Sequence, residues 1–102
     1  MEHIQVEVDN HIANITINRP DQLNTFNYRA LEELGNVLED IKLSKEIRVV
    51  TITGAGEKAF SAGADLKERR TLSEKEVRRN VTKIRDVFTE LENLPQPSIA
   101  AI

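Results

Sequence analysis

Apolar and polar residues alternate from the start of the chain: Ile4, Val6 and Val8 share one side, and Ala13, Ile15 and Ile17 resume the pattern after Asp9-Asn10. A period of two marks half-buried strands, and a pair of residues that tolerates positive φ marks the turn between them. Residues 4–17 therefore read as a β-hairpin. Asn18-Arg19-Pro20-Asp21 ends it, because proline removes a ladder donor. An irregular connection, Gln22 to Phe26, leads to Asn27, a good helix N-cap. The period then changes. Leu31, Leu34, Leu38 and Ile41 recur at three- and four-residue spacing, which makes one apolar helix face. Glu32, Glu33, Glu39, Asp40 and Lys42 lie off that stripe and read as solvated surface.

Arg48 to Thr53 (RVVTIT) reads as a strand buried on both faces, as parallel strands usually are. Further on, Ser73 and Glu76 have the spacing of a capping box, and Val77, Val81, Ile84, Phe88 and Leu91 supply a second amphipathic stripe. Leu94-Pro95-Gln96-Pro97 stops that helix, and Ser98 to Ile102 opens a new apolar run. Hairpin, helix, strand, helix, strand is the order of an α/β protein with crossover units in a mixed or parallel sheet. A strand that opens at the last residues gives the whole of 1–102 the look of the front portion of a longer domain.

Between the RVVTIT strand and the second helix lies Lys58 to Lys67, KAFSAGADLK, after the turn signal Gly54-Ala55-Gly56. Ala59, Ser61, Ala62, Gly63 and Ala64 present almost no side-chain bulk, so another molecule can approach the backbone itself. A helical turn opening at Ala64-Asp65 would present free N–H groups to an oxygen gaining negative charge. Asp65 would cap that turn and hold the donors in place. The alternative is a tight surface turn with no ligand. Lys58, Lys67, Arg69 and Arg70 are placed to meet a phosphate-bearing ligand, or are solvated charges beside Glu57 and Glu68.

Composition narrows the classes. A chain of 102 residues, 39% hydrophobic, is one ordinary domain or a piece of one. With a net charge of −3 and no interleaving of basic and aromatic residues, nothing points to nucleic acid. The absence of cysteine removes disulfides, thiolate metal sites and a cysteine nucleophile. His3 and His11 have no second ligand at useful spacing, so no metal site is expected. The start carries no apolar h-region, and no apolar run is long enough to cross a bilayer. A soluble, cytoplasmic protein with no membrane partner is the expectation. Gly54-x-Gly56-x-x-Ala59 formally fits a dinucleotide fingerprint, but Phe60-Ser61-Ala62-Gly63 is turn-rich where a helix should open. Glu74 and Glu76 stand at the distance of the ribose-binding acid, yet in a helix cap. Ser61 lacks the G-x-S-x-G elbow, and no histidine follows it.

Five segments in order, ITINRP at 15–20, LNTFN at 23–27, RVVTITG at 48–54, KAFSAGADLK at 58–67 and PSIAAI at 97–102, resemble the crotonase (enoyl-CoA hydratase/isomerase) superfamily. The resemblance implies a crotonase-like ββα spiral fold, here in its N-terminal part only, that binds acyl-CoA thioesters. It implies that the backbone N–H of Ala64 is one of two oxyanion-hole donors that carry enolate charge on the thioester oxygen. Ala62, Asp65, Leu66 and Lys67 match positions along the coenzyme A channel, and Leu23 and Thr25 match the stretch covering the pantetheine and adenine end. It further implies an enoyl-CoA hydratase reaction with no cofactor, coenzyme A being part of the substrate, and a homotrimer or dimer of trimers. The second donor and the acid/base carboxylates are expected beyond Ile102, so an inactive acyl-CoA-binding or assembly fragment is the alternative, as is another activity of the superfamily, such as isomerisation or thioester hydrolysis.

Overall fold

The computed structural model describes residues 3–56 and 64–101. The alternating start forms β1 (Ile4–Asp9) and β2 (Ile12–Ile17), paired antiparallel with Ile4 opposite Ile17 and Asp9 opposite Ile12. The turn falls one residue later than the pattern suggests. Asn10 and His11 both take positive φ, 49° and 67°, as a two-residue hairpin turn matched to strand twist requires. His11 tolerates that conformation because it is tethered: its Nδ1 donates to the Glu46 carbonyl at 2.8 Å, and its own carbonyl accepts the Arg48 N–H at 2.8 Å.

The period-3.6 stretch forms α1 (Tyr28–Leu43), and Asn27 Oδ1 accepts the Ala30 N–H at its start. Leu31, Leu34, Leu38 and Ile41 are buried with Ala30 and Val37, and they join Ala13, Ile15, Ile17, Val50 and Ile52 from the sheet in one core. Glu33 departs from the expected solvated surface. It is buried, and its Oε1 accepts the backbone N–H groups of His3 (3.0 Å) and Ile4 (3.3 Å), which lie at the outer edge of the hairpin. Arg29 Nε lies 3.9 Å from its other oxygen. A carboxylate here satisfies donors that burial would otherwise strand.

After α1 the chain enters β3 (Val49–Gly54), parallel to β2, with Ile15 opposite Ile52. Near its C-terminal end, beyond the helices that follow β3, it enters β4 (Ser98–Ala101), parallel to β3, so the sheet order is β1-β2-β3-β4. The expectation that RVVTIT is buried on both faces is corrected: Val50 and Ile52 are buried, whereas Val49, Thr51 and Thr53 on the other face are half-buried. Thr51 Oγ1 donates to Asn14 Oδ1 at 2.6 Å across the strands of that face, which accounts for a hydroxyl in an otherwise aliphatic run.

A short helix, α2 (Leu66–Arg69), precedes α3 (Glu74–Glu92), whose Ser73–Glu76 capping box forms in both directions. α3 packs against α1, but its inner stripe is rotated from the expected one. Val87 and Asn80 are buried and Ile84, Phe88 and Leu91 pack on the core, while Val81 is 50% exposed. Phe88 meets Phe26 edge-to-face at 5.5 Å between centroids. Past α3, buried Gln96 donates through Nε2 to the Ile41 carbonyl at 2.8 Å and lies within 3.4 Å of the Ser44 and Ile47 carbonyls, so it closes the C-terminal end of α1. No helix among the described residues is long and apolar enough to cross a membrane.

Candidate functional site

The link between β2 and α1 does not run loosely over the surface. Pro20–Gln22 makes a single 3-10 turn, and Leu23 and Asn24 follow in the left-handed region at φ 52° and 53°. Asparagine visits that region readily, and here it is buried and fully used. Its Oδ1 accepts the Arg19 N–H at 2.9 Å, and its Nδ2 donates to the Ala55 carbonyl at 2.9 Å, just past the end of β3. Leucine gains nothing of the kind, and the left-handed backbone costs it about 1–2 kcal/mol. The result is a large apolar side chain held outward, 47% exposed. Gly56, at φ 83°, lets the chain leaving β3 pass close to Pro20: a Cβ there would lie 3.1 Å from the proline Cβ.

On the other side of the site, Ala64 makes a short parallel bridge with Phe26, in which the Asp65 N–H donates to the Phe26 carbonyl at 3.1 Å. Successive N–H groups of an extended segment point to opposite sides, so the Ala64 N–H faces away from Phe26. Asp65 then caps α2: its Oδ1 accepts the N–H groups of Lys67 (3.0 Å) and Glu68 (3.1 Å). The expectation of helix N-terminal donors turned toward a ligand is thereby corrected. Those two donors are spent on Asp65, and the Ala64 N–H belongs to an extended segment before the helix. The Asp65 Oδ2 accepts from Arg19 Nη2 at 3.0 Å, while Arg19 Nη1 donates to the Thr25 carbonyl at 2.7 Å. Burial pulls the Asp65 carboxyl upward. The Glu68 N–H, the hydrogen bond and charge of Arg19 and the Lys67 N–H together outweigh it and hold the group below its ordinary value of 3.8.

Glu68 is also occupied structurally. Its Oε1 accepts hydrogen bonds from the Tyr28 N–H (3.0 Å) and from Asn80 Nδ2 (3.1 Å), so it fastens α2 to the start of α1 and to the second turn of α3. Arg79 lies over the Tyr28 ring, 4.5 Å from its centroid.

Between the two sides is an open groove of about 320 Å³, lined by Asp21, Gln22, Leu23, Thr25, Ala64, Asp65, Leu66 and Lys67. Leu23, Thr25, Ala64, Asp65, Leu66 and Lys67 are thus brought together from two segments some forty residues apart. Ala62 lies outside the described residues, as do Lys58 and Ser61. Of the other basic residues singled out in the sequence, Arg69 and Arg70 do not line the groove. Leu66 is 62% exposed and, with Leu23, gives the groove two bare apolar walls. Sequence reasoning missed Asn24 and Arg19 as builders of the site. The available signal was a run of turn-formers, Asn18 to Asn24, too long for a simple strand exit. Nor does the dinucleotide fingerprint find its acid: Glu74 and Glu76 lie in the first turn of α3, and Glu76 accepts the Ser73 N–H in the capping box. Among the described residues no group of three His, Cys, Asp or Glu is arranged to hold a metal ion.

A family model described as enoyl-CoA hydratase/isomerase matches residues 7–102. The chain is similar to the short-chain-enoyl-CoA hydratase of Clostridium acetobutylicum, 38% identical over 102 residues, which is all of this chain and 39% of that protein. It is similar also to the human mitochondrial methylglutaconyl-CoA hydratase, 36% identical over 102 residues, all of this chain and 30% of that one. In three dimensions it superposes on the crystal structure of an enoyl-CoA hydratase from Bacillus anthracis with a TM-score of 0.94 and 47% identity, covering 97% of this chain and 39% of the other. The chain therefore spans 30–39% of the length of these proteins.

Proposed function

We propose that this chain, which belongs to the enoyl-CoA hydratase/isomerase family and has the crotonase-like α/β fold, contributes one half of an active site that hydrates a 2-enoyl-CoA thioester. The observation that carries the reading is the groove itself, where two exposed leucines, Leu23 and Leu66, converge on the backbone of Ala64. The apolar walls suit a pantetheine arm and acyl chain, and Lys67 at the rim suits the phosphates of coenzyme A. Thr25 and, by resemblance, Ala62 complete the same channel. Asp65 lines the same channel and also builds it, since both its oxygens accept hydrogen bonds within the protein.

In the reaction, water adds to the carbon β to the thioester carbonyl and gives up a proton to a base, the C=C π pair shifts so that negative charge gathers on the carbonyl oxygen, and a proton returned to the α carbon completes the 3-hydroxyacyl thioester. The Ala64 N–H is the donor this chain supplies to that oxygen. A fixed dipole there favours the enolate-like state over the neutral thioester, which is how a hydrogen bond becomes catalysis. No cofactor is required, since the thioester itself stabilises the carbanion. The second donor and the acid/base carboxylates come from other parts of the assembled enzyme, which we take to be a trimer or dimer of trimers in the cytoplasm.

Incubating the full-length protein with crotonyl-CoA and following loss of the conjugated enoyl thioester absorbance tests this. A 3-hydroxyacyl-CoA product is expected, and its absence would overturn the hydratase assignment. Double-bond isomerisation is the second reading, favoured by the double description of the family, and 3-enoyl-CoA as substrate separates the two. Ala64→Pro removes the proposed donor and should lower kcat about 100- to 1000-fold. Unchanged turnover would move the oxyanion site elsewhere.

A further inference from the structure

We propose that Arg19, which does not line the groove, is a positioning residue for the reaction there, because its guanidinium holds the two walls of the groove at a fixed offset. The inference rests on the acyl-CoA reading above. Arg19 and Asp65 side chains are each only 10% exposed, so the ion pair is largely withdrawn from solvent even though Asp65 lines the groove. One nitrogen, Nη1, donates to the Thr25 carbonyl at 2.7 Å, and the other, Nη2, donates to Asp65 Oδ2 at 3.0 Å. Thr25 belongs to the wall that carries Leu23, and Asp65 directly follows Ala64 on the opposite wall. A direct bond between the walls closes the circuit, since the Asp65 N–H donates at 3.1 Å to the carbonyl of Phe26, the residue after Thr25.

Arg19 is itself immobilised from behind, where its N–H donates to Asn24 Oδ1 and its carbonyl accepts the Asn24 N–H at 2.7 Å. Three linked contacts therefore fix where the Ala64 N–H lies relative to the Leu23–Thr25 wall. A planar guanidinium serves the carbonyl and the carboxylate from two nitrogens held at a fixed offset, whereas an ammonium is a single point charge on a flexible stem. Catalytic donors tolerate little displacement, and a shift of about 1 Å can cost about 100-fold in rate. Arg19 thus acts on the reaction through Ala64, without touching substrate.

The test is steady-state kinetics on the full-length protein with crotonyl-CoA, comparing wild type, Arg19→Lys and Asp65→Asn, with rates normalised to folded protein by thermal unfolding and circular dichroism. The expected result is a fall in kcat of tenfold or more in both variants, with KM within threefold of wild type and no rescue by lysine. A kcat per folded molecule within twofold of wild type in both variants would overturn the proposal and leave Arg19 a stabiliser of the fold. A raised KM at unchanged kcat would overturn it as well, since that is the mark of direct ligand contact. Asp65→Asn keeps a good helix cap, so it carries the test if Arg19→Lys fails to fold. Loss of turnover already in the wild type would instead remove the acyl-CoA reading, and this inference with it.

Discussion

Leu23 is held in a left-handed backbone, at φ 52°, with nearly half of its side chain in water. Neither feature helps folding. Strain of this kind persists where a surrounding structure over-determines it, and here Asn24 and the 3-10 turn before it do so. Leu23→Gly should relieve about 1–2 kcal/mol of backbone strain. Glycine's extra unfolded-state freedom offsets about 0.5–1 kcal/mol of that. Chemical denaturation is therefore expected to show stability unchanged or slightly raised, while calorimetric titration with butyryl-CoA shows weaker binding. Reduced stability with unaltered affinity would make Leu23 a structural residue and take it out of the groove's function. Asn24→Ala should behave in the opposite way. It strands the half-buried Arg19 N–H and Ala55 carbonyl, and a loss of about 1–3 kcal/mol in urea unfolding is expected from two such partly shielded groups.

The elements themselves follow from local rules with few exceptions, and the exceptions have one cause. Asn27 caps α1 and Ser73 with Glu76 caps α3, because a cap depends only on residues three apart. Strand and helix periods give the hairpin, both long helices and the parallel strands. What the sequence hides is any polar residue whose partner is far away. Glu33 looks like one more surface charge until the N–H groups of His3 and Ile4 stand against it. Gln96 looks like a spacer between prolines until it reaches the end of α1. The groove was legible in part for the same reason: its lining could be marked from sequence by resemblance, while the Arg19, Asn24 and Glu68 contacts that assemble it span from five to 46 residues. A helix–helix contact offers a further check. Gly35 lies inside α1, where a Cβ would meet Val87 Cγ2 at 3.6 Å, an ordinary van der Waals distance. Gly35→Ala should thus raise the thermal midpoint, consistent with about 0.5–1 kcal/mol from helix propensity. A lowered midpoint would show that α1 and α3 pack more tightly than this separation allows.

At the scale of the molecule, the Asp65 carboxylate ties the β2–α1 link to the segment after β3, and its ionisation is therefore a global matter. The charged groups around it are Arg19, which pairs with it, Lys67 and Glu68 on α2, and Asp21 across the groove. Its carboxyl is held below 3.8 in the folded protein, because hydrogen bonds and the Arg19 charge outweigh burial. Between the folded and unfolded values the unfolded chain binds a proton that the folded chain does not, so stability must rise with pH across that window. The contribution is whole above the ordinary carboxylate value and is lost as pH falls through the lower, folded value. Urea midpoints measured from pH 7 down to pH 2 should decline on the acid side for wild type and for Asp65→Asn alike, since other carboxylates titrate in both. The difference between the two curves isolates Asp65. At neutral pH the variant should be less stable by about 1.5–3 kcal/mol, the worth of a hydrogen bond to a charged group. That gap should shrink toward zero as the wild-type carboxyl is protonated. A gap that stays constant with pH would mean that the Arg19 contact holds the two segments together through shape and hydrogen bonding alone, with the charge of Asp65 irrelevant to it.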